Sequence, residues 1–131
     1  MFWAITLHKQ FVKSFLEGDK KVEVRTRIPK ALRTGDWLFV IQEGTGGRVV
    51  MKLRVFGVLK MSPAVLWERR WKEIQVNYLA YSEYFKGRQV AYGIIVDEVV
   101  PITEEVYREE LGLTGSPQWF SSVTKLGRLA K

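Results

Sequence analysis

Residues 17–26 read "EGDKKVEVRT". Gly18 closes one element, and valine then alternates with charge, the period-two pattern of a half-buried strand. On such a strand Lys21, Glu23, Arg25 and Arg27 project to one face. Lys20 sits just past the turn, close enough to lean over that face. A solvated edge and a functional site both begin this way, so the surrounding chain has to decide.

Upstream, "WAITL" (3–7) alternates as a first strand, and "KQFVKSFLEG" (9–18) sets Phe11, Val12, Phe15 and Leu16 on one helical stripe that Gly18 stops. Downstream, "IPKALRTGD" (28–36) is a turn region, because Pro29 blocks sheet pairing and Gly35-Asp36 turns the chain. The nearly continuous apolar run "WLFVIQE" (37–43) predicts a strand buried on both faces. "GTGG" (44–47) closes a hairpin into the long strand "RVVMKLRVFGVLKM" (48–61), with Gly57 marking a bulge or bend. Ser62 caps a helix through "AVLWERRWKEI" (64–74), with Pro63 at its first position. "VNYLAYSEYFKG" (76–87) predicts a second short helix, and "QVAYGIIVDEVV" (89–100) returns to strand. "TEEVYREELG" (103–112) reads as a third helix, capped by Thr103 with acids in its first turn. "SPQWFSSV" (116–123) supplies one last short strand.

This order predicts an α+β chain: one small, mostly antiparallel β-barrel of five or six strands with short flanking helices, or alternatively a ferredoxin-like sandwich. A length of 131 residues fits one domain spanning 1–131 with a single core. The chain has no cysteine, which excludes disulfides and thiolate metal sites. With His8 as the single histidine, no metal site and no cofactor are expected, and there is no P-loop or dinucleotide fingerprint. No secretory pattern opens the chain and no run approaches the roughly 20 apolar residues of a bilayer span, so a cytoplasmic protein with no membrane partner is expected.

The net charge of +7 is unevenly placed. Residues 1–60 hold 12 Lys and Arg against 5 Asp and Glu, whereas residues 61–131 hold 9 of each. The whole excess lies around the opening stretch. A one-sided positive field concentrates anionic partners, nucleic acid foremost, although scattered solvated cations give the same count.

Gly18, Lys20, Glu23 and Arg25 fit the pattern G-x-K-x-x-E-x-R, which resembles the signature of the ASCH domain family in the PUA-like superfamily. "IPKALRTGDWLFVI", "SPAVLWERRW", "YFKGRQVAYGIIVDEV" and the late "SPQWF" extend the resemblance over residues 3–123. It implies a PUA-like barrel with a cleft beside the motif and an RNA or other nucleic-acid partner. Some members are linked to transcription, a few hydrolyse N4-acetylcytidine, and ribonuclease activity is attributed to at least one. The amidohydrolases resemble this chain at Lys20, but their catalytic threonine aligns with Glu23, which removes the hydroxyl nucleophile. Their later glutamate would match Glu68 or Glu73.

Physically, Arg25 can offer a bidentate fork to a phosphate or base edge, Lys20 a point charge, and Glu23 an acceptor that orients Arg25 or takes a base amine. The expected binding residues are therefore Lys20, Glu23 and Arg25, with Arg27, Lys30 and Arg33 on phosphates and Trp119 as a stacking ring. They would recognise an ordinary or modified nucleotide in a basic cleft extended by Arg48, Lys52 and Arg54. If the cleft is catalytic, Lys20 and Glu23 are the acid–base pair. Two plainer readings stand beside these. The trio could be an ion-pair brace for the first helix, or the basic face could dock an acidic protein. Trp3, Trp37, Phe39, Trp67 and Trp71 are expected in the core, and Tyr84 and Tyr92 are weaker stacking candidates.

Overall fold

A computed structural model describes residues 1–130. The elements run β1 (Phe2–Leu7), α1 (Lys9–Glu17), β2 (Val22–Arg25), β3 (Trp37–Gln42), β4 (Arg48–Met61), α2 (Pro63–Ile74), α3 (Tyr78–Tyr84), β5 (Ala91–Tyr107) and β6 (Ser121–Val123), with 3-10 turns at Arg108–Leu111 and Gly127–Ala130. Local chemistry sets the helix ends. Gly18, at φ 85°, closes α1 by donating its amide to carbonyls of the last turn. The side chains of Ser62 and Asn77 accept the amides of Val65 and Ala80 to cap α2 and α3. No helix among the described residues is long and apolar enough to cross a membrane.

The six strands form one mixed sheet in the order β2-β5-β4-β3-β1-β6. The β1–β3 pair is parallel and the other four neighbours are antiparallel. Strand alternation divides the core. Trp3, Ile5, Leu38, Val40, Leu53 and Val55 face Val12 and Phe15 of α1. Ala4, Phe39, Ile41, Val49 and Val106 point the other way into a second cluster. β3 is therefore covered on both faces, as its continuous apolar run predicts. A third cluster packs Leu66, Ile74, Tyr81 and Phe85 of the α2–α3 pair against Val22 and Ala91.

The sheet is open, which corrects the expected closed barrel; the mixed six-strand order also sets aside the ferredoxin-like alternative. β2 has 4 residues and β6 has 3, and each pairs with one neighbour only. Side chains rather than a backbone ladder join these two ends. The Arg25 guanidinium lies over the Phe120 ring at 5.2 Å, Arg27 lies over Trp119 at 5.6 Å, and the Trp119 indole donates to the Arg27 carbonyl at 3.4 Å.

Two further expectations fail. The segment 103–112 is not a helix: β5 continues through Tyr107, pairing Val106 with Val49 and Tyr107 with Arg48, and only a 3-10 turn follows. Burial of Val106 against the start of β4 overrides the helical composition. Trp71 is 50% exposed and is not a core residue, while Trp37 and Trp67 are half-buried. Gly57 does sit at a shift of register, where β4 bends against β5.

Candidate functional site

The turn after Gly18 leads into β2 beside the end of α2, so the motif residues meet in one place. Lys20 is 2% exposed and Glu23 is 6% exposed. The Lys20 ammonium donates to the carbonyl of Ile74 at 2.6 Å and lies 3.8 Å from Glu23 Oε1. It also sits 5.1 Å and 5.5 Å from the ring centres of Phe11 and Phe15 on α1. The Ile74 carbonyl is free because α2 ends there, with Gln75 in the left-handed conformation (φ 56°, ψ 42°). Lys20 thus caps one helix while packing on another, a firmer structural role than the expected brace of α1 through Glu23. Burial pushes the Lys20 pKa below its ordinary value, the Arg25 charge adds to this, and Glu23 opposes it.

Arg25 donates its Nε to Glu23 Oε2 at 2.8 Å, which fixes the plane of the guanidinium. Among the described residues its two terminal amino groups have no acceptor, so the outer fork remains available. These three side chains line a cleft of about 490 Å³. That lies within the range of roughly 300–1,000 Å³ typical of small-molecule sites. Phe11 and Tyr84 give it aromatic walls, and Gln10 and Gln118 add amide groups. Thr6 also lines it, and its hydroxyl is buried without a hydrogen-bond partner among the described residues. His8 and Glu43 complete the rim, paired at 3.1 Å.

The sequence brought forward Lys20, Glu23 and Arg25, and the structure places them together. The remaining expected residues are elsewhere. Arg27, Lys30 and Arg33 are exposed and outside the lining, and Trp119 is 44% exposed beside it, with Arg27 over its ring. Arg54 is paired with Asp97 and Glu98, and Lys52 lies over Trp37 at 4.5 Å. The cleft lining sets Lys20 and Arg25 beside Glu23 and Glu43, the last paired with His8, and Arg27, Lys30 and Arg33 lie outside it. Glu68 and Glu73 do not line the cleft either, Glu73 being paired with Arg70 at 2.9 Å. The position facing Lys20 belongs to the Ile74 carbonyl instead.

Sequence reasoning missed Thr6, His8, Gln10, Glu43 and Gln118 as lining residues. They come from the end of β1, the first turn of α1, the residue after β3 and the segment before β6, and the parallel β1–β3 pairing that brings His8 to Glu43 has no local signature. No group of three or more His, Cys, Asp or Glu among the described residues is placed to hold a metal ion.

Comparison with known proteins adds the lineage. The family model for the ASCH domain matches residues 5–103. A curated relative from Zymomonas mobilis, an ASCH domain-containing ribonuclease, is 27% identical over 99 residues, covering 75% of this chain and 66% of its own length, just under two thirds. The crystal structure of ASCH from Zymomonas mobilis is 22% identical, with a TM-score of 0.84 over 95% of this chain and 88% of that one. A point variant of the same protein gives a TM-score of 0.85 at 22% identity, over 95% and 89% of the two chains. At that level the structural likeness speaks for the fold.

Proposed function

The chain belongs to the ASCH domain family, and from that premise we propose that it binds RNA by taking one nucleotide into the cleft beside β2. The observation that carries this reading is the oriented, unfilled fork of Arg25. Glu23 holds it by Nε, Phe120 backs it, and its terminal amino pair faces a nucleotide-sized space. A planar bidentate donor of this kind suits a phosphate or the O6/N7 edge of guanine. The balanced charge of the lining favours one nucleotide read by hydrogen bonds over a long polyphosphate track. Phe11 and Tyr84 offer ring faces to the base, in place of the Trp119 stack first expected. A regulatory role in RNA metabolism or transcription would follow from such binding.

A second reading is cleavage of RNA in the same cleft. The buried Lys20 ammonium, with its pKa lowered by burial, favours it, and a relative carries the name ribonuclease. Lys20 and Arg25 would stabilise the negative charge on the non-bridging phosphoryl oxygens, with Glu23 as their partner. One experiment separates the two readings. Short single-stranded RNAs are titrated with wild type and Arg25→Ala, and the mixtures are then resolved for shortened products. Arg25-dependent binding with intact RNA supports the recognition module, and products that vanish in Lys20→Met promote the nuclease. Equal affinity of wild type and Arg25→Ala overturns the proposal.

A further inference from the structure

A second hollow, of about 610 Å³, lies on the far side of α3 between that helix and α2. Its walls are aromatic: the Trp67 ring lies 5.1 Å from Tyr78 and 4.8 Å from Tyr81, and Tyr81 lies 4.8 Å from Phe85. The charged residues that line it are Lys86 and Arg88, both exposed and without a carboxylate partner among the described residues. Among the described residues no acidic side chain lines it, in contrast to the cleft. Outside it, Trp71 stacks on Trp67 with ring centres 6.5 Å apart and planes at 29°. Tyr81 lines both hollows, so α3 is the partition between them.

We infer that this groove is a second nucleotide site, holding a later base of the same single RNA strand against Trp67 and Tyr78 while Lys86 and Arg88 meet its phosphates. Aromatic faces next to unpaired cations are the pairing that single-stranded nucleic acid requires, and base-on-ring stacking tolerates any base. The partition is one helix, about 10 Å across with its side chains. A strand crossing it stays within the footprint of roughly 4–16 nucleotides seen for small single-strand-binding modules. The cleft reads one nucleotide by hydrogen bonds and the groove adds sequence-tolerant affinity. An acidic peptide or a second copy of this chain would also find cations and rings here. The shared Tyr81 wall, which joins the groove to the cleft, favours the strand.

The inference rests on the cleft holding a nucleotide, so its test keeps the two apart. Wild type and a Lys86→Ala/Arg88→Ala variant are titrated with ribonucleoside monophosphates and with single-stranded RNAs of two, four, six and eight nucleotides, while tryptophan fluorescence is followed. Both substitutions are on the surface and leave the third core cluster intact. The expected result is wild-type affinity that climbs once the strand spans α3, with tryptophan quenching at those lengths. The variant should lose about tenfold on the longer strands and nothing on monophosphates. Wild-type affinity that does not change with length, or a variant that keeps the gain, overturns the groove while leaving the cleft standing. Absence of all nucleotide binding overturns the cleft reading and the groove with it. Concentration-dependent dimerisation that Lys86→Ala/Arg88→Ala abolishes, with no length effect, assigns the groove to a second copy instead.

Discussion

The Lys20 ammonium lies 2.6 Å from the carbonyl oxygen of Ile74, 54 residues further along the chain, and so ties the motif turn to the end of α2. The same side chain stands 3.8 Å from Glu23, whose other oxygen holds Arg25. The motif is thus a structural clasp and the wall of a cleft at once, and its residues can be separated by what their removal disturbs.

Lys20→Ala leaves the Ile74 carbonyl without its buried donor and removes the cation 3.8 Å from Glu23, which keeps its bond from Arg25. The expected cost is about 1–3 kcal/mol, the penalty of stranding buried polar groups. Urea denaturation monitored by tryptophan fluorescence measures it, and an unchanged midpoint would contradict the clasp.

The pH dependence of that stability has a definite sign. Burial holds the Lys20 pKa below 10.5 in the fold. Between the folded value and 10.5 the unfolded chain binds a proton that the folded chain has released, so stability rises with pH across that window. Below the window both states are protonated and the burial penalty stands in full. Lys20→Met should remove this rise, which melts taken from neutral to alkaline pH would detect as a difference between wild type and variant that changes across the window in favour of wild type.

Asp36 is a buried carboxylate, 6% exposed, that accepts the Trp3 indole at 3.0 Å, the Arg33 amide at 3.0 Å and the Met1 amino group at 3.0 Å. Burial alone would raise its pKa, but the three hydrogen bonds outweigh it and leave the value below 3.8. Its stabilisation is therefore complete above 3.8 and is lost as pH falls through the folded value. Asp36→Ala should cost about 1–3 kcal/mol at neutral pH by stranding the indole and amide donors. The cost should shrink in acid, and acid titration of both proteins checks this.

The seam between β2 and β6 is testable through Trp119. Trp119→Ala removes the cation–π contact to Arg27 and the indole hydrogen bond. For an exposed contact the loss is about 0.5–1 kcal/mol. The sharper readout is amide exchange, which should accelerate at Ser121–Val123 and Val22–Arg25 while β3 and β4 stay protected. Uniform exchange across the sheet would show that the seam contributes nothing.

Much of this was legible in the sequence because the signals are local. Gly18 and Ser62 end and begin their helices by side-chain and backbone rules that need no partner, and the motif spacing places Lys20, Glu23 and Arg25 within a few residues. What was hidden depends on distant strands. Val106 is strand because Val49 needs a partner, and His8 reaches Glu43 because β1 runs parallel to β3. Charge misled for the same reason: the 12 cations of the first 60 residues are divided among α1, the turns around β2 and the strands β2 and β4, and among the described residues only Lys20 and Arg25 of these line the cleft. Trp71 fits a helical stripe, yet α2 turns it outward.

The most direct test of the central claim is calorimetric titration of the protein with the four ribonucleoside monophosphates, beside Arg25→Ala at the same salt concentration. At least one nucleotide should bind, and Arg25→Ala should weaken it by tenfold or more, the loss of a charge-assisted bidentate contact worth about 1.5–3 kcal/mol. Absence of binding by all four, or an Arg25→Ala protein that binds as wild type does, would contradict the assignment of the cleft.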